Sequence, residues 1–261
     1  MRFRRALPPP TPTPIFSGYF SDWSSVCEAC KNFEKGSNTI VAFDSNRWMK
    51  RQHDMLALAR QGIYPRPTNL PLLAAIIRPK FIVDLGGGGA WTSELVTNSR
   101  LGKFKSYLVL EIPSVCKEFS QVFASDSGVS FYSSISETPP WMISHTDILY
   151  SNSTLQYFPD DSNLLALVSS LSPSYILLDD FQSSIADTFF TLQNYYGLNI
   201  PYRFSNLREL LVRCSELGYE LLVSSDYASP IAADRTAQIQ GAEDKNLGIG
   251  RSLSLLFEKV V

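Results

Sequence analysis

From residue 80 onward the chain alternates short apolar runs with helix-like segments, and this alternation constrains the fold more than any other feature. "KFIVDL" (80–85), "SYLVLEI" (106–112), "GVSFYS" (128–133), "TDILYSN" (146–152), "SYILLDDF" (174–181), "YELLVSSD" (219–226) and "RSLSLLFEKV" (251–260) read as seven strands. Between them lie segments with helix signals: Pro113 opens one, an Asp-Asp-Ser stretch caps another, and Gly218 ends a third. Strands that alternate with helices imply right-handed crossovers and a mainly parallel sheet. The expected class is therefore α/β, doubly wound, with a mainly parallel seven-stranded Rossmann-like sheet over residues 79–261. Ligands of such sheets bind beyond the carboxyl ends of the strands, where the strand order reverses.

The preceding residues have a different texture. Residues 1–14 carry a proline run and read as an extended, flexible arm. Residues 15–78 lack strand alternation and read as a helical N-terminal extension, placed to act as a lid. Within it Ser45 or Asn46 caps a helix that stops at Gly62, and Pro79 ends a shorter one. The arm begins with three arginines, but prolines replace the apolar stretch a secretory signal needs, so a cytoplasmic location is expected. A net charge of −2 gives no reason to expect nucleic acid, and no run of 18 apolar residues indicates a membrane span. Cys27 and Cys30 are spaced Cys-x-x-Cys, yet no second pair follows at zinc spacing; two cysteines on a short helix is the expectation, with no metal site.

The chemistry is concentrated in "FIVDLGGGGAWTSEL" (81–95), where a strand runs into Asp84 and then Gly86, Gly87, Gly88 and Gly89. Glycine permits positive φ and close approach of a ligand, and the following helix start offers backbone N–H groups. A Walker loop is excluded because no lysine follows. A dinucleotide fingerprint needs Gly or Ala at position 91 or 92, where Trp91 and Thr92 stand, so that reading is disfavoured. An acid ahead of the glycines suits a ligand with an ammonium and a carboxylate group. Glu111, ending the second strand, is placed for ribose hydroxyls, a feature that NAD and S-adenosylmethionine share.

"VDLGGGGAW", "VLEIPSV", "DILYSNSTLQYFPD" and "YILLDD" occur in the order and spacing of class I S-adenosylmethionine-dependent methyltransferases, which residues 78–260 resemble. More narrowly, "FSGYFSDW", Glu111-Ile-Pro113 and "STLQYFPD" resemble methyltransferases found among bacterial lipopolysaccharide and surface-polysaccharide biosynthesis proteins. The resemblance implies S-adenosyl-L-methionine as cofactor and a small-molecule acceptor, in the narrower group a sugar or saccharide precursor. It further implies that Asp84, Gly86, Gly87 and Gly88 hold the methionine portion, Glu111 the ribose, and that Ser151 and Asn152 lie beside the methionine portion, with Leu155 and Gln156 bordering the transfer site. Two departures stand out: only Ser133 and Ser134 follow the third strand, where many relatives carry an acid for adenine, and Asp179-Asp180-Phe181 replaces an Arg-Thr-Pro-like stretch. The residues themselves name candidates for a catalytic base, His53 on the extension and Asp179 and Asp180 at the end of the fifth strand; His145 precedes the fourth strand, away from the site. An NAD-dependent oxidoreductase or epimerase and a catalytically inactive binding subunit stay open as alternatives.

Overall fold

The computed structural model describes residues 15–30, 41–99, 103–123, 127–143, 145–195, 198–229, 239 and 249–260. The expected proline arm lies outside them. In chain order the elements are β1 (Phe16–Phe20), α1 (Trp23–Ala29), α2 (Asn46–Arg60), α3 (Leu70–Ile77), β2 (Phe81–Leu85), α4 (Trp91–Asn98), β3 (Ser106–Leu110), α5 (Pro113–Phe119) and β4 (Val129–Tyr132). Then follow α6 (Pro140–Ile143), β5 (Ile148–Asn152), α7 (Ser162–Leu171), β6 (Tyr175–Ser184), β7 (Phe189–Tyr195), β8 (Leu198–Asn206), α8 (Leu207–Glu216), β9 (Tyr219–Asp226) and β10 (Ile249–Lys259).

The seven expected strands form one sheet in the order β4-β3-β2-β5-β6-β10-β9. β2 to β6 are mutually parallel, and β10 inserts antiparallel between β6 and β9. β2 sits where the order reverses, between β3 and β5, so a crevice opens at its carboxyl end. Alternation along the strands decides the layers. Ile82, Tyr107, Val109, Ile148 and Tyr150 face a core closed by Trp48, Met55 and Leu56 of α2, Leu70 and Leu73 of α3, Leu95 of α4 and Phe119 of α5. Val83, Leu108, Leu110, Leu149 and Ile176 face Leu164, Leu167 and Val168 of α7 and Leu210 of α8.

Three strands were not legible as such. β7 and β8 form an antiparallel hairpin, and β1, in the stretch expected to be helical and irregular, pairs with β7. Their aromatic faces pack together: Phe16, Phe189, Tyr202 and Phe204 make a separate core. The end of β6 joins this group through Ser183 and Ser184, which pair with Ser205 and Asn206 of β8. The N-terminal segment and the hairpin, far apart in sequence, thus build one lobe. Cys30 belongs to it, its thiol donating to the Asn199 carbonyl at 2.6 Å, and all four cysteines are free thiols. Cys27 stands on α1, and Cys30 caps its end rather than lying within it.

α2 starts as expected, with Ser45 Oγ accepting from the Trp48 N–H at 3.2 Å, and ends where Gly62 takes φ 74°. No described helix is long and apolar enough to cross a membrane.

Candidate functional site

Strand register brings the candidate residues to one level. Leu85 of β2 lies beside Leu110 of β3 and Ser151 of β5, so Gly86, Glu111 and Asn152 emerge together at the carboxyl edge. The turn that follows is left-handed at Gly86 (φ 71°), Gly88 (φ 54°) and Ala90 (φ 54°), and α4 begins directly after it.

The protein's own packing crowds all four glycines. A Cβ at Gly86 would lie 2.3 Å from Thr154 Cγ2, at Gly87 2.3 Å from Asp84 Oδ2, at Gly88 2.2 Å from Gln52 Oε1 and at Gly89 2.7 Å from the Phe119 ring. Nor does the turn present a free row of N–H groups, as the sequence led us to expect. Gly88 N–H donates to Glu111 Oε1 at 3.0 Å, Gly89 N–H to Gln52 Oε1 at 3.2 Å, and Gly86 N–H to the Leu110 carbonyl at 2.9 Å. A carboxylate and an amide of the chain already sit where a diphosphate would accept.

Asp84 is 1% exposed. Its Oδ2 accepts from Tyr107 Oη at 2.5 Å and from Thr92 Oγ1 at 3.2 Å, while Oδ1 is buried with no hydrogen-bond partner among the described residues. Burial pushes its pKa up to about 7, against the lowering effect of those two hydroxyls. Burial also raises Glu111, whose carboxylate is held by the Gly88 and Ile112 N–H groups. An unpaired buried carboxylate oxygen is costly, and a cationic partner would relieve it.

These residues line a cavity of about 530 Å³ that runs along the carboxyl edge of the sheet. One end is bounded by Ser133, Ser134 and Ile135 after β4 and by Asn163, Ala166, Leu167 and Ser170 of α7; Asp84, Gly86, Gly87, Gly88 and Glu111 form part of its wall, with Trp91 beside them. Phe43, Trp48, Arg51, Gln52, Met55, Arg66, Tyr157 and Tyr195 also line it. Aromatic contacts tie several of these together: Phe43 packs against Trp48, Tyr157 and Tyr195 with centroids 5.5, 4.9 and 5.7 Å apart.

No protein-family profile matches this sequence, and no curated protein matches it. Solved structures do. The chain resembles Burkholderia thailandensis 1,6-didemethyltoxoflavin-N1-methyltransferase, solved with 1,6-didemethyltoxoflavin and S-adenosylhomocysteine, with a TM-score of 0.50 and 15% identity over 85% of each chain. It resembles mitomycin 7-O-methyltransferase with a TM-score of 0.51 and 12% identity, over 87% of this chain and 62% of that one. The fold is that of the class I methyltransferases. At such identities the likeness is one of fold, and the function rests on the site.

Against this methyltransferase fold, the expected residues divide. Asp84, Gly86, Gly87, Gly88, Glu111 and Asn152 line the cavity. Asn152 also ties the segment before α3 to the sheet, its Nδ2 donating to Tyr150 Oη at 3.0 Å and to the Pro67 carbonyl at 3.3 Å. Ser151 is not on the wall: its hydroxyl is turned into the sheet and donates to the Leu85 carbonyl at 3.1 Å. Leu155 and Gln156 are buried off the wall as well, the Gln156 amide without a hydrogen-bond partner among the described residues. Ser133 and Ser134 do reach it, though Ser133 Oγ donates to Glu137 and Ser134 Oγ shares a hydrogen bond with Ser136.

The three base candidates lie elsewhere. His53 pairs with Glu118 at 2.8 Å and packs at a tilt against the Phe119 ring, on the side of α2 that meets α5. Asp179 and Asp180 are not at a strand end, because β6 continues to Ser184; a bulge against β10 turns Asp180 to φ 58°. Asp179 accepts from Asn69 N–H at 2.9 Å and Ser254 Oγ at 2.5 Å, and Asp180 from Gln182 Nε2 at 2.6 Å, Ser252 Oγ at 2.5 Å and Ser153 Oγ. Neither aspartate is solvated, and neither lines the cavity. Among the described residues no group of three His, Cys, Asp or Glu is arranged to hold a metal.

Sequence reasoning missed Gln52, Arg51, Arg66, Thr154 and Tyr195. The extension that carries α2 could be read as a lid, but nothing in a single sequence shows which of its residues face a cavity whose floor lies in a later, separate stretch of chain. Arg66 between Pro65 and Pro67 shows a rigid turn but no destination.

Proposed function

We propose that this chain transfers a methyl group from S-adenosylmethionine to a small-molecule acceptor, with a saccharide or saccharide precursor the acceptor class favoured by the narrower sequence resemblance. The observation that carries the reading is Asp84: a buried carboxylate with one oxygen unpaired, on a cavity wall at the switch point of a class I methyltransferase fold. The site fits the cofactor's chemistry. Asp84 and the Gly86–Gly88 turn would hold the methionine end, Asp84 facing its ammonium group. Glu111, fixed by two backbone N–H groups, keeps lone pairs for two ribose hydroxyls. Ser133, Ile135, Ala166 and Leu167 would flank the base. The cavity volume falls in the range of small-molecule sites.

When bound, S-adenosylmethionine supplies an electrophilic methyl group, passed to the acceptor in one displacement that leaves S-adenosylhomocysteine. The chain's part is to position the acceptor and exclude water. The walls from α2 and from Tyr157 and Tyr195 are suited to both, and well-aligned positioning accounts for a large share of such accelerations. A base is required only where the acceptor must lose its proton early. The dinucleotide alternative is disfavoured because the Gly88 and Gly89 N–H groups are engaged by Glu111 and Gln52.

Calorimetric titration tests the proposal. S-adenosylhomocysteine is expected to bind the wild-type chain and NAD is not, and Glu111→Ala is expected to weaken binding at least about tenfold by removing two charge-assisted hydrogen bonds. Binding of NAD without S-adenosylhomocysteine would overturn it. Binding of neither would favour a catalytically inactive subunit.

A further inference from the structure

The cavity wall contains a feature that neither the glycine turn nor the methyl transfer uses. Arg66 and Arg51 both line it, among Phe43, Trp48, Tyr157 and Tyr195. Arg66 Nε is buried with no hydrogen-bond partner among the described residues. The Tyr157 hydroxyl, which donates to Gln193 Oε1 at 3.1 Å, feels the charge of both guanidinium groups. Burial raises its pKa, and both arginines oppose that rise. The acid facing this region, Asp180, is fully engaged by Gln182, Ser252 and Ser153, and Asp179 by Asn69 and Ser254.

A desolvated guanidinium N–H left unpaired is costly, and folded chains seldom retain such groups without a use. S-adenosylmethionine does not call for two arginines here: it offers a single carboxylate, at its methionine end, and its sulfonium and ammonium groups repel a neighbouring cation. Arginine among aromatic rings is suited to a planar, two-pronged oxyanion on a molecule whose body packs on the rings.

Resting on the methyltransferase reading, we propose that the acceptor carries an anionic group, a carboxylate or a phosphate, seated on Arg66 with Arg51 beside it, while its body packs against Trp48 and Tyr157. The pocket therefore selects acidic acceptors over neutral ones of the same shape.

The test uses the full chain saturated with S-adenosylhomocysteine and titrated with benzoate, inorganic phosphate and neutral benzamide, followed by calorimetry. Benzoate or phosphate is expected to bind at least about tenfold more tightly than benzamide, and the tighter of the two identifies the anion. In Arg66→Gln that preference is expected to disappear while S-adenosylhomocysteine affinity stays within about twofold of wild type. Equal binding of benzamide, no binding of either anion, or an S-adenosylhomocysteine affinity that falls in step with Arg66→Gln would each overturn the proposal, the last by assigning Arg66 to the cofactor's carboxylate. Should S-adenosylhomocysteine fail to bind wild type, the methyltransferase reading falls, and the same titration of the ligand-free chain still decides whether Arg66 holds an anion.

Discussion

Replacing Asp84 with asparagine separates the electrostatic role of this residue from its packing. The folded chain holds the Asp84 proton up to a pKa of about 7, against 3.8 for an unburied aspartate. Between those values the folded state binds a proton that the unfolded state has lost, so stability falls as pH rises. The contribution is fully present below about pH 4 and is lost as pH passes through about 7. A shift of this size corresponds to roughly 4 kcal/mol across the interval. The asparagine variant would be neutral throughout, its amide oxygen accepting from Tyr107, so any fixed cost of the exchange cancels when pH values are compared. Urea denaturation of the ligand-free proteins at pH 4.5, 6 and 8 is expected to show the wild type losing several kcal/mol relative to Asp84→Asn as pH rises. Ligand binding should run the other way. Only ionised Asp84 attracts an ammonium group, and its ionised fraction rises from about one-tenth at pH 6 to nine-tenths at pH 8. S-adenosylhomocysteine affinity is therefore expected to increase about tenfold in wild type over that range and to stay flat in the variant. Parallel stability profiles together with pH-independent binding would show that Asp84 is ionised in the folded chain, and the reasoning from its burial would be wrong.

Gly86→Ala puts a Cβ 2.3 Å from Thr154 Cγ2 at φ 71°, and is expected to cost at least about 1–2 kcal/mol in denaturation, more if Thr154 cannot move. His53→Ala removes a half-exposed ion pair with Glu118; thermal melting should change by less than about 1 kcal/mol equivalent, with S-adenosylhomocysteine affinity unaltered, whereas a strong loss of affinity would return His53 to the site. Asp180→Ala orphans the Gln182, Ser252 and Ser153 donors and is expected to destabilise the chain by about 3 kcal/mol or more. If its stability is unchanged, Asp180 is not the structural anchor that its three partners imply.

The parallel sheet was legible because its central strands β2, β3, β5 and β6 are short apolar runs, bounded by turn residues, whose burial on both faces leaves a local signature. β1, β7 and β8 left a weaker one. "FSGYF" is five residues long with a glycine inside it, and its partner Phe189–Tyr195 lies far along the chain, Thr191 being 174 residues after Ser17. Pairing across that separation is decided by the aromatic core it forms with Tyr202 and Phe204, a tertiary fact. The site followed the same division. That Asp84 and Glu111 stand at the carboxyl edge of the sheet was readable because strand ends position them. Ser151 was misplaced because alternation turns it into the sheet while its neighbour Asn152 faces the cavity. Asp179 and Asp180 were taken for a strand end because the bulge that carries them on to Ser184 depends on β10, the last strand of the chain.

The glycine run shows how function and packing become coupled in such a turn. Read from the sequence, four glycines imply a ligand close to the backbone. In the structure the nearest atoms to the missing side chains belong to Thr154, Asp84, Gln52 and Phe119, one each from the loop after β5, β2, α2 and α5. The glycines thus let four elements converge on one turn, and that convergence fixes the ligand-facing groups. Glu111 is locked by Gly88 N–H, and Gln52 carries α2, with Trp48 and Arg51, onto the edge of the cavity. A side chain at Gly88 would displace Gln52 and with it the contact that seats α2 on the turn. The walls proposed for cofactor and acceptor therefore meet at this glycine–glutamine contact, and a substitution there is expected to disturb both affinities together, whereas Asp84→Asn and Arg66→Gln are each expected to disturb one.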